Sequence, residues 1–282
     1  KTTGTSPRII DNKGQDKYIH RLRSASIGEQ ISLIRYFSKL NPDALVIECM
    51  AVNPQYQWVS EQKIVKSTIG VLTNVRPDHL DEMGVSMNQI TKSMANTIPF
   101  NGIMVTSEDK KTDILNDIAN QRNTDFYLSD IDLNHKELND FSYLEHKENI
   151  SLALKVCQLC GIEKDIAING MKKCNPDPGA LTIWNKKNNN IFKFINAFAA
   201  NDPASTLKTW QIINNRLDSS EFAIFLNTRI DRQYRTIQLI NLIFNELKPK
   251  ALVLRGENFP NELKVLMDQN KAIKVFKFPY SI

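Results

Sequence analysis

The sequence predicts an α/β protein with parallel sheets and helical connections, and three observations lead to this prediction. Short apolar runs alternate with longer segments whose apolar residues repeat at helical spacing. Two of the apolar runs end in polar residues, as strands do at the ligand-binding edge of an open parallel sheet. The chain has 282 residues, of which 41% are hydrophobic and 24% charged. This length and composition suit one large or two ordinary globular domains.

The first half of the chain supplies helices and strands in turn. Ser26 and Glu29 have the spacing of a capping box, and apolar residues at helical intervals up to Leu40 predict a helix. The alternation that follows predicts a parallel sheet with right-handed crossovers. Its strands are expected at Ala44–Cys49, Ile69–Leu72 and Ile103–Thr106, and its further helices at Met87–Ile98 and Asn149–Val156.

A domain boundary is predicted at Asn175–Gly179, because the sequence Asn-Pro-Asp-Pro-Gly cannot continue a helix. The predicted domains are therefore residues 1–176 and 177–282. The second domain reads as a smaller Rossmann-like unit, and the polar run Asn185–Asn190 as an exposed turn. Its strands are expected at Ile191–Phe198, Glu221–Leu226, Ala251–Leu254 and Lys274–Phe278, and its helices at Ala204–Leu217 and Arg232–Leu247.

The candidate site lies where two of the predicted strands end, Ala44–Cys49 and Ile69–Leu72. His79 stands between Asp78 and Asp81 after the Ile69–Leu72 run, and Glu48 ends the earlier run. If the two strands are neighbours in one parallel sheet, Glu48 and His79 converge on a site suited to a divalent cation and phosphate. The alternative is structural: Glu48 caps a turn, and His79 is a histidine satisfied by a carboxylate partner.

The two aspartates that flank His79 can each serve in two ways. One carboxylate can orient the imidazole through its other ring nitrogen, and the other can cap the following helix. For Asp81 the two roles remain open. A metal-dependent phosphoesterase would need more ligands than His20, His79, His135 and His146 supply at their spacing.

The net charge of +5, with both signs interleaved, suits anionic substrates such as nucleotides or polycarboxylates. It is too small and too dispersed to indicate a nucleic-acid partner.

The residues around Glu48 and His79 carry a family resemblance. The pattern Thr73-Asn74-x-x-x-Asp78-His79-Leu80-Asp81-x-x-Gly84, with Glu48 on the preceding run, resembles the Mur ligase superfamily of ATP-dependent amide ligases. The resemblance narrows to the poly-γ-glutamate synthetases through four motifs in order: Lys1–Arg8, Ile47–Ala51, Thr73–Asp81 and Asn196–Pro203. It implies a Mur-ligase-like central ATPase domain of the P-loop type, followed by a Rossmann-like C-terminal domain.

The resemblance also implies roles for individual residues. Glu48 and His79 would be the catalytic pair that holds Mg²⁺ against the phosphates of ATP, with Asp78 and Asp81 behind them. The nucleotide would be contacted by His146, Asn149, Arg229 and Asp231, and the substrates by Thr5, Arg8, Arg76, Asn201 and Asp202.

Two departures from the family pattern qualify these roles. Met94 stands where Mur ligases usually carry a carbamylated lysine, which argues against a second, carbamate-bridged metal ion. The sequence also contains no Gly-x-x-Gly-Lys-Ser/Thr loop, which such ligases use to bind phosphates. We therefore expect the chain to be truncated at both ends, the alternative being a relative that lost its loop and its activity.

The implied reaction is ATP-dependent amide formation through an acyl phosphate, with glutamate and a growing poly-γ-glutamate chain as substrates. The implied partners are membrane subunits of a capsule-synthesis complex, and self-association is left open. The implied location is the cytoplasmic face of the cell membrane, reached through partners or a missing N-terminal segment. The alternatives are a non-catalytic scaffold subunit and another ligase of the superfamily, such as a folylpolyglutamate or cyanophycin synthetase.

Overall fold

A computed structural model describes most of the chain, and it divides into two compact units, Lys1–Pro178 and Gly179–Ile282. The described residues are 8–11, 13–20, 26–134, 137–138, 141, 143, 146–176, 179–187, 191–200, 202–215, 221–230, 233–256 and 259–279. None of the helices formed by these residues combines the length and apolar character needed to cross a membrane.

The first unit is built around a three-stranded parallel sheet with the order β3-β4-β5. Its elements are β1 (Arg8–Ile10), β2 (Asp16–Tyr18), α1 (Ile27–Ser38), α2 (Pro54–Val59) with a following π-helical turn (Ser60–Val65), β3 (Ile69–Leu72), α3 (Leu80–Met83), α4 (Met87–Met94) with a 3₁₀ turn (Ala95–Thr97), β4 (Ile103–Thr106), α5 (Thr112–Gln121), β5 (Asp125–Leu128), α6 (Lys147–Leu159) and α7 (Lys164–Lys172).

Sequence patterning explains why these elements pack as they do. The apolar residues of α4 and α5 repeat on one face of each helix, and that face covers the sheet. Ile90, Ile98 and Leu115 are each at most 1% exposed and share a core with Met104 of β4. A second cluster, which includes Ile150 and Leu154, joins α6 to α7. This core fixes the carboxyl edge of the sheet, where the polar strand ends lie.

The second unit contains another three-stranded parallel sheet, with the order β10-β9-β8, and a separate antiparallel hairpin. Leu252 and Leu254 of β9 are fully buried against helices that follow β8 and β9. Its elements are β6 (Thr182–Lys187), β7 (Ile191–Asn196), α8 (Pro203–Asn214), β8 (Ala223–Asn227), α9 (Gln233–Leu242) with a π-helical turn (Ile243–Leu247), β9 (Ala251–Arg255), α10 (Glu262–Gln269) and β10 (Lys274–Phe278).

Several predicted elements are confirmed. The strands Ile69–Leu72, Ile103–Thr106 and Lys274–Phe278 have the predicted bounds, and Ser26 caps α1 by accepting the backbone N–H of Glu29. The strand that begins at Ile191 also forms, but it pairs antiparallel with Thr182–Lys187 rather than joining the parallel sheet.

The predicted strand at Ala44–Cys49 is wrong. This segment has no regular secondary structure, and Val46 is 84% exposed. A strand needs a neighbouring backbone to satisfy its N–H and C=O groups, and the described sheet of the first unit runs only β3-β4-β5. An apolar sequence without such a partner remains an extended surface segment.

Candidate functional site

The candidate site is built on the loop that leaves β3 at the carboxyl edge of the sheet. Hydrogen bonds from the neighbouring strand end fix this loop: the Ser107 N–H donates to the Leu72 carbonyl at 3.4 Å, and the Ser107 hydroxyl donates to the Thr73 carbonyl. The Val75 side chain is 5% exposed and packs into the core. The loop is therefore tied to β4 at its start and anchored in its middle.

His79 has an unusual backbone conformation at the end of this loop. Its φ and ψ are 48° and 49°, the left-handed region that side-chain-bearing residues seldom adopt. Its carbonyl accepts the N–H groups of Glu82 at 3.0 Å and Met83 at 2.8 Å, so His79 is the N-cap residue of α3. A residue in this strained conformation at a strand end is a reason to suspect function.

Asp78 is positioned to orient the His79 side chain. One carboxylate oxygen accepts the His79 backbone N–H at 3.0 Å, and the other lies 3.7 Å from the imidazole Nε2. The His79 side chain is 26% exposed and that of Asp78 40% exposed. The imidazole is thus partly accessible from solvent and has a carboxylate beside it, at a distance slightly longer than a hydrogen bond.

Asp81 does not occupy the predicted cap position. The N-cap residue of α3 is His79, and Asp81 is an exposed residue in the first turn of the helix. Among the described contacts, the Asp81 side chain makes no hydrogen bond or ion pair. Asp78 is therefore the aspartate that lies beside the imidazole, and the roles of Asp78 and Asp81 behind a metal ion both stay predictions.

Gly84 ends α3 and allows the chain to turn directly into α4. Its φ of 112° favours glycine, and an added Cβ would lie 2.5 Å from the Gln89 Cβ. Ser86 and Gln89 then form a complete capping box at the start of α4. Backbone geometry thus requires the glycine in the Asp-His-Leu-Asp-x-x-Gly pattern.

Glu48 lies on the exposed segment that precedes α2, and buried polar side chains hold the end of that segment. The Gln57 Nε2 donates to the carbonyls of Ala51 at 3.3 Å and Val52 at 3.1 Å, and its Oε1 accepts the Ser93 hydroxyl at 3.1 Å. Gln57 is 3% exposed.

A second contact brings this segment to the His79 loop. The Asn53 Nδ2 donates to the Glu82 carboxylate, one turn after His79, at 3.0 Å. The structure therefore places the ends of the two predicted motifs side by side, although the strand expected to carry Glu48 is absent.

The donor set is compatible with one Mg²⁺ ion that also binds phosphate. Among the described residues, no group of three or more His, Cys, Asp or Glu side chains is arranged to hold a metal ion. Nucleotide-bound Mg²⁺ needs no such cage, because it usually keeps several waters and takes one or two protein groups. The accessible His79 imidazole and the exposed Glu48 carboxylate fit that requirement.

The predicted adenine contacts lie at the start of α6. His146 is the N-cap residue, and its carbonyl accepts the N–H of Asn149 at 3.0 Å. The Ser151 hydroxyl accepts the Ile131 N–H at 3.1 Å, which ties the helix to the chain leaving β5. Both predicted residues are thus partly exposed near the carboxyl edge of the same sheet.

Two predicted residues of the second unit can be placed. Arg229 is exposed directly after β8, where a ligand of that sheet edge would lie. Asp202 is the N-cap residue of α8 and accepts the Ser205 N–H at 2.9 Å, so its carboxylate has a structural role. The predicted contacts at Asp231 and Asn201 lie outside the described residues.

The predicted substrate contacts of the first unit differ in their exposure. Arg8 is 5% exposed and donates to Asp16 at 2.6 Å across the β1–β2 hairpin, so the structure gives it a structural role rather than an open substrate surface. Arg76 is half-buried in the loop before His79. Thr5 lies outside the described residues.

Three residues that support the site were not predicted from the sequence. They are Gln57, which bonds to the backbone after Glu48, and Ser107 and Glu108, which bond to the backbone before His79. Ser107 and Glu108 follow the apolar run Ile103–Thr106, so the strand-end pattern used for His79 could also have found them. Nothing in the sequence distinguishes Gln57 from its neighbours.

Comparison with known families assigns each half of the chain. Residues 15–175 match the Mur ligase middle domain, and residues 182–274 match the poly-gamma-glutamate synthase CapB C-terminal domain. These ranges fall one in each compact unit.

Curated relatives agree with this assignment. The chain is 36% identical over 266 residues to the capsule biosynthesis protein CapB of Bacillus anthracis, with 91% of this chain and 56% of that protein aligned. It is 35% identical over 262 residues to the PGA synthase CapB of Bacillus subtilis, with 91% and 67% aligned. The chain thus spans little more than half the length of the first relative.

Solved structures show the same fold at low sequence identity. A bifunctional folylpolyglutamate synthase/dihydrofolate synthase from Yersinia pestis, complexed with AMPPNP and a Mn ion, has a TM-score of 0.63 at 14% identity, with 89% of this chain and 62% of that chain covered. E. coli FolC in complex with DHPP and ADP has a TM-score of 0.55 at 13% identity, with 76% and 53% covered. Together with the two domain matches, these similarities show that the chain belongs to the CapB family of poly-γ-glutamate synthases, within the Mur ligase fold.

Proposed function

We propose that this chain forms the Mg·ATP and ligase domains of an enzyme that lengthens poly-γ-glutamate by amide formation. The observation that carries the proposal is the Asp78–His79 pair at the carboxyl edge of a parallel sheet, in a chain whose halves match the Mur ligase middle domain and the CapB C-terminal domain. The relatives named as capsule biosynthesis protein and PGA synthase support the choice of product.

The proposed reaction has two steps. A carboxylate oxygen of the growing chain attacks the γ-phosphorus of ATP, and the bond between this phosphorus and the β–γ bridging oxygen breaks. ADP departs, and the other product is an acyl phosphate. The amine of glutamate then attacks the acyl carbon, and inorganic phosphate and a proton are released as the amide forms. Such chemistry depends chiefly on positioning and charge neutralisation.

The described residues can supply both the positioning and the charge neutralisation. When bound, Mg²⁺ would offset the negative charge of the phosphates, and Glu48 and His79 are the residues that would hold it. Asp78 would keep the His79 imidazole in one orientation. Arg76, His146, Asn149 and Arg229 are proposed contacts for the anionic substrate and the nucleotide.

The charge distribution supports anionic substrates. In residues 179–282, Lys and Arg outnumber Asp and Glu by 15 to 8, whereas the whole chain has a net charge of +5. The positive excess therefore lies in the half that matches the C-terminal domain of the poly-γ-glutamate synthases. A polycarboxylate is attracted to such a surface at low ionic strength.

A His79→Ala substitution in the full-length protein tests the proposal. We expect glutamate-dependent ATP hydrolysis and γ-linked product to disappear, while the circular dichroism spectrum and melting temperature change little. His79→Asn is the matched control for the backbone, because asparagine tolerates the left-handed conformation without supplying an imidazole. Unchanged turnover in either variant would refute the proposed role of His79.

Product analysis separates the two competing functions. Incubation of the full-length protein with glutamate, ATP and Mg²⁺ should give a γ-linked glutamate polymer. Complete absence of ATP hydrolysis would indicate a scaffold subunit, and glutamylation of a folate instead of a polyglutamate would indicate a folylpolyglutamate synthetase. We further propose that the protein acts at the membrane through capsule-synthesis partners, a proposal that the relative named as a capsule biosynthesis protein supports.

A further inference from the structure

A buried carboxylate lies directly behind the candidate site and has no part in the function proposed above. Glu108 follows β4 at the carboxyl edge of the sheet and is 5% exposed. One of its oxygens accepts the Val75 N–H at 2.7 Å, and the other accepts the Lys110 N–H at 2.9 Å. Its own N–H donates to the Thr106 hydroxyl at 3.0 Å.

The Val75 bond matters because of where it falls in the chain. Val75 is in the middle of the loop between β3 and His79, and its N–H has no sheet partner once the strand has ended at Leu72. A buried N–H left without an acceptor costs about 1–3 kcal/mol, so the Glu108 carboxylate decides which conformation of the loop is stable.

The neighbouring residue strengthens the same connection. The Ser107 hydroxyl donates to the Thr73 carbonyl, two residues before Val75. The residues that follow β4 therefore form hydrogen bonds with both a carbonyl and an N–H group of the His79 loop. Both hydrogen bonds oppose a shift of the loop along the sheet edge and a rotation of its peptide planes.

Burying a carboxylate is costly unless charge-assisted hydrogen bonds compensate for the lost hydration. Glu108 has two such bonds, both to backbone N–H groups of loops at the sheet edge. A polar side chain buried in this place is better explained by the loop geometry that its two hydrogen bonds impose than by packing alone.

We propose that Glu108 is a positioning residue for His79, which acts by fixing the Val75 N–H and hence the loop that presents the imidazole. Only the expected effect of Glu108 on metal and nucleotide binding rests on the function proposed above. The hydrogen bond between Glu108 and Val75 should also make the loop more rigid. This rigidity can be measured whether or not the protein is an active enzyme.

The test compares Glu108→Ala and Glu108→Gln with Asp109→Asn in the full-length protein. Asp109 is the exposed next residue, so its variant removes a neighbouring negative charge without touching the Val75 bond. Amide hydrogen exchange at Val75 reports the hydrogen bond, and the NMR signals of the His79 imidazole report its orientation. Electron paramagnetic resonance of added Mn²⁺ with AMPPNP reports metal binding.

We expect Glu108→Ala to accelerate Val75 exchange by about tenfold or more, to broaden the His79 signals and to weaken Mn²⁺ binding by a similar factor. Glu108→Gln should restore most of the Val75 protection, because its amide oxygen can still accept that N–H. Asp109→Asn should leave all three measurements near the wild-type values. If the alanine variant does not fold, Glu108→Asp takes its place, because the shorter side chain keeps the carboxylate but withdraws it from the Val75 N–H.

Two results would overturn the proposal. Unchanged Val75 exchange in Glu108→Ala would show that the carboxylate does not hold the loop. Faster exchange with unaltered His79 signals would show that Glu108 has only a structural role. If the wild-type protein bound no Mn²⁺ and hydrolysed no ATP, the proposed function would fail, yet the exchange and imidazole measurements would still decide the role of Glu108.

Discussion

At the scale of single residues, the site depends on backbone groups as much as on side chains. His79 caps α3 while it adopts left-handed backbone angles, and the neighbouring carboxylate of Asp78 accepts its N–H. A non-glycine residue in this region costs about 1–2 kcal/mol. The surrounding hydrogen bonds offset this cost, and the imidazole is thereby presented at the edge of the sheet.

Arg76 provides a prediction at this scale. An Arg76→Ala substitution should raise the KM for glutamate by about tenfold or more, because a hydrogen bond to a charged group contributes roughly 1.5–3 kcal/mol. Steady-state kinetics at saturating Mg·ATP measure the effect. Arg35→Ala removes the same charge from an exposed position on α1 and should leave the KM unchanged. An unaltered KM in Arg76→Ala would remove Arg76 from the substrate site.

At the scale of secondary structure elements, the sequence predicted those elements whose apolar residues meet a partner within the described chain. Ile69–Leu72 and Ile103–Thr106 were predicted with their observed bounds, since both strands pair with parallel neighbours. The short strand β5 and the helix α2 with its π-helical turn were not predicted. β5 has only four residues. The buried residues of α2 and its π-helical turn include the polar residues Gln57, Ser60 and Glu61, which obscures the helical pattern of apolar residues.

The buried polar face of α2 gives a prediction of its own. Gln57→Leu should lower the free energy of unfolding by about 1–3 kcal/mol, because the carbonyls of Ala51 and Val52 and the Ser93 hydroxyl lose their partner. Urea denaturation measures the loss. Gln55→Leu, an exposed position on the same helix, should change stability by less than about 0.5 kcal/mol.

The same contacts should affect the site. Because Gln57 holds the segment that follows Glu48, the Gln57→Leu variant should also need more Mg²⁺ for half-maximal ATP turnover. A Mg²⁺ requirement equal to that of Gln55→Leu would mean that the segment is positioned by other contacts.

At the scale of the whole molecule, the chain consists of two units with separate cores. The sequence predicts a division at the Asn-Pro-Asp-Pro-Gly segment, where the two units meet along the chain, and it predicts a site at Asp78 and His79, which stays a prediction. It did not predict the contacts of Glu108 or Gln57, because single buried polar residues leave no periodic pattern. It also placed Glu48 on a strand, since an apolar run shows β propensity but not whether a pairing strand exists.

The separate cores predict that unfolding has two transitions rather than one. Ile90→Ala and Ile240→Ala are matched changes, since both side chains are almost completely buried, one in each unit. Each should destabilise its own unit by about 2–5 kcal/mol and leave the other transition in place. Differential scanning calorimetry of the two variants distinguishes this outcome from a single cooperative transition that both substitutions lower together.

The exposed Ala44–Cys49 segment has a consequence for how the protein behaves in concentrated solution. It presents Leu45, Val46 and Ile47 in a stretch without proline, with Val46 84% exposed. Such a segment is a template for β-pairing between molecules, so particle size should grow with protein concentration. Val46→Lys should suppress this growth in dynamic light scattering, and equal growth in both proteins would place the association elsewhere. The residues beside Glu48 would then set the colloidal stability of the protein as well as flank the proposed metal site.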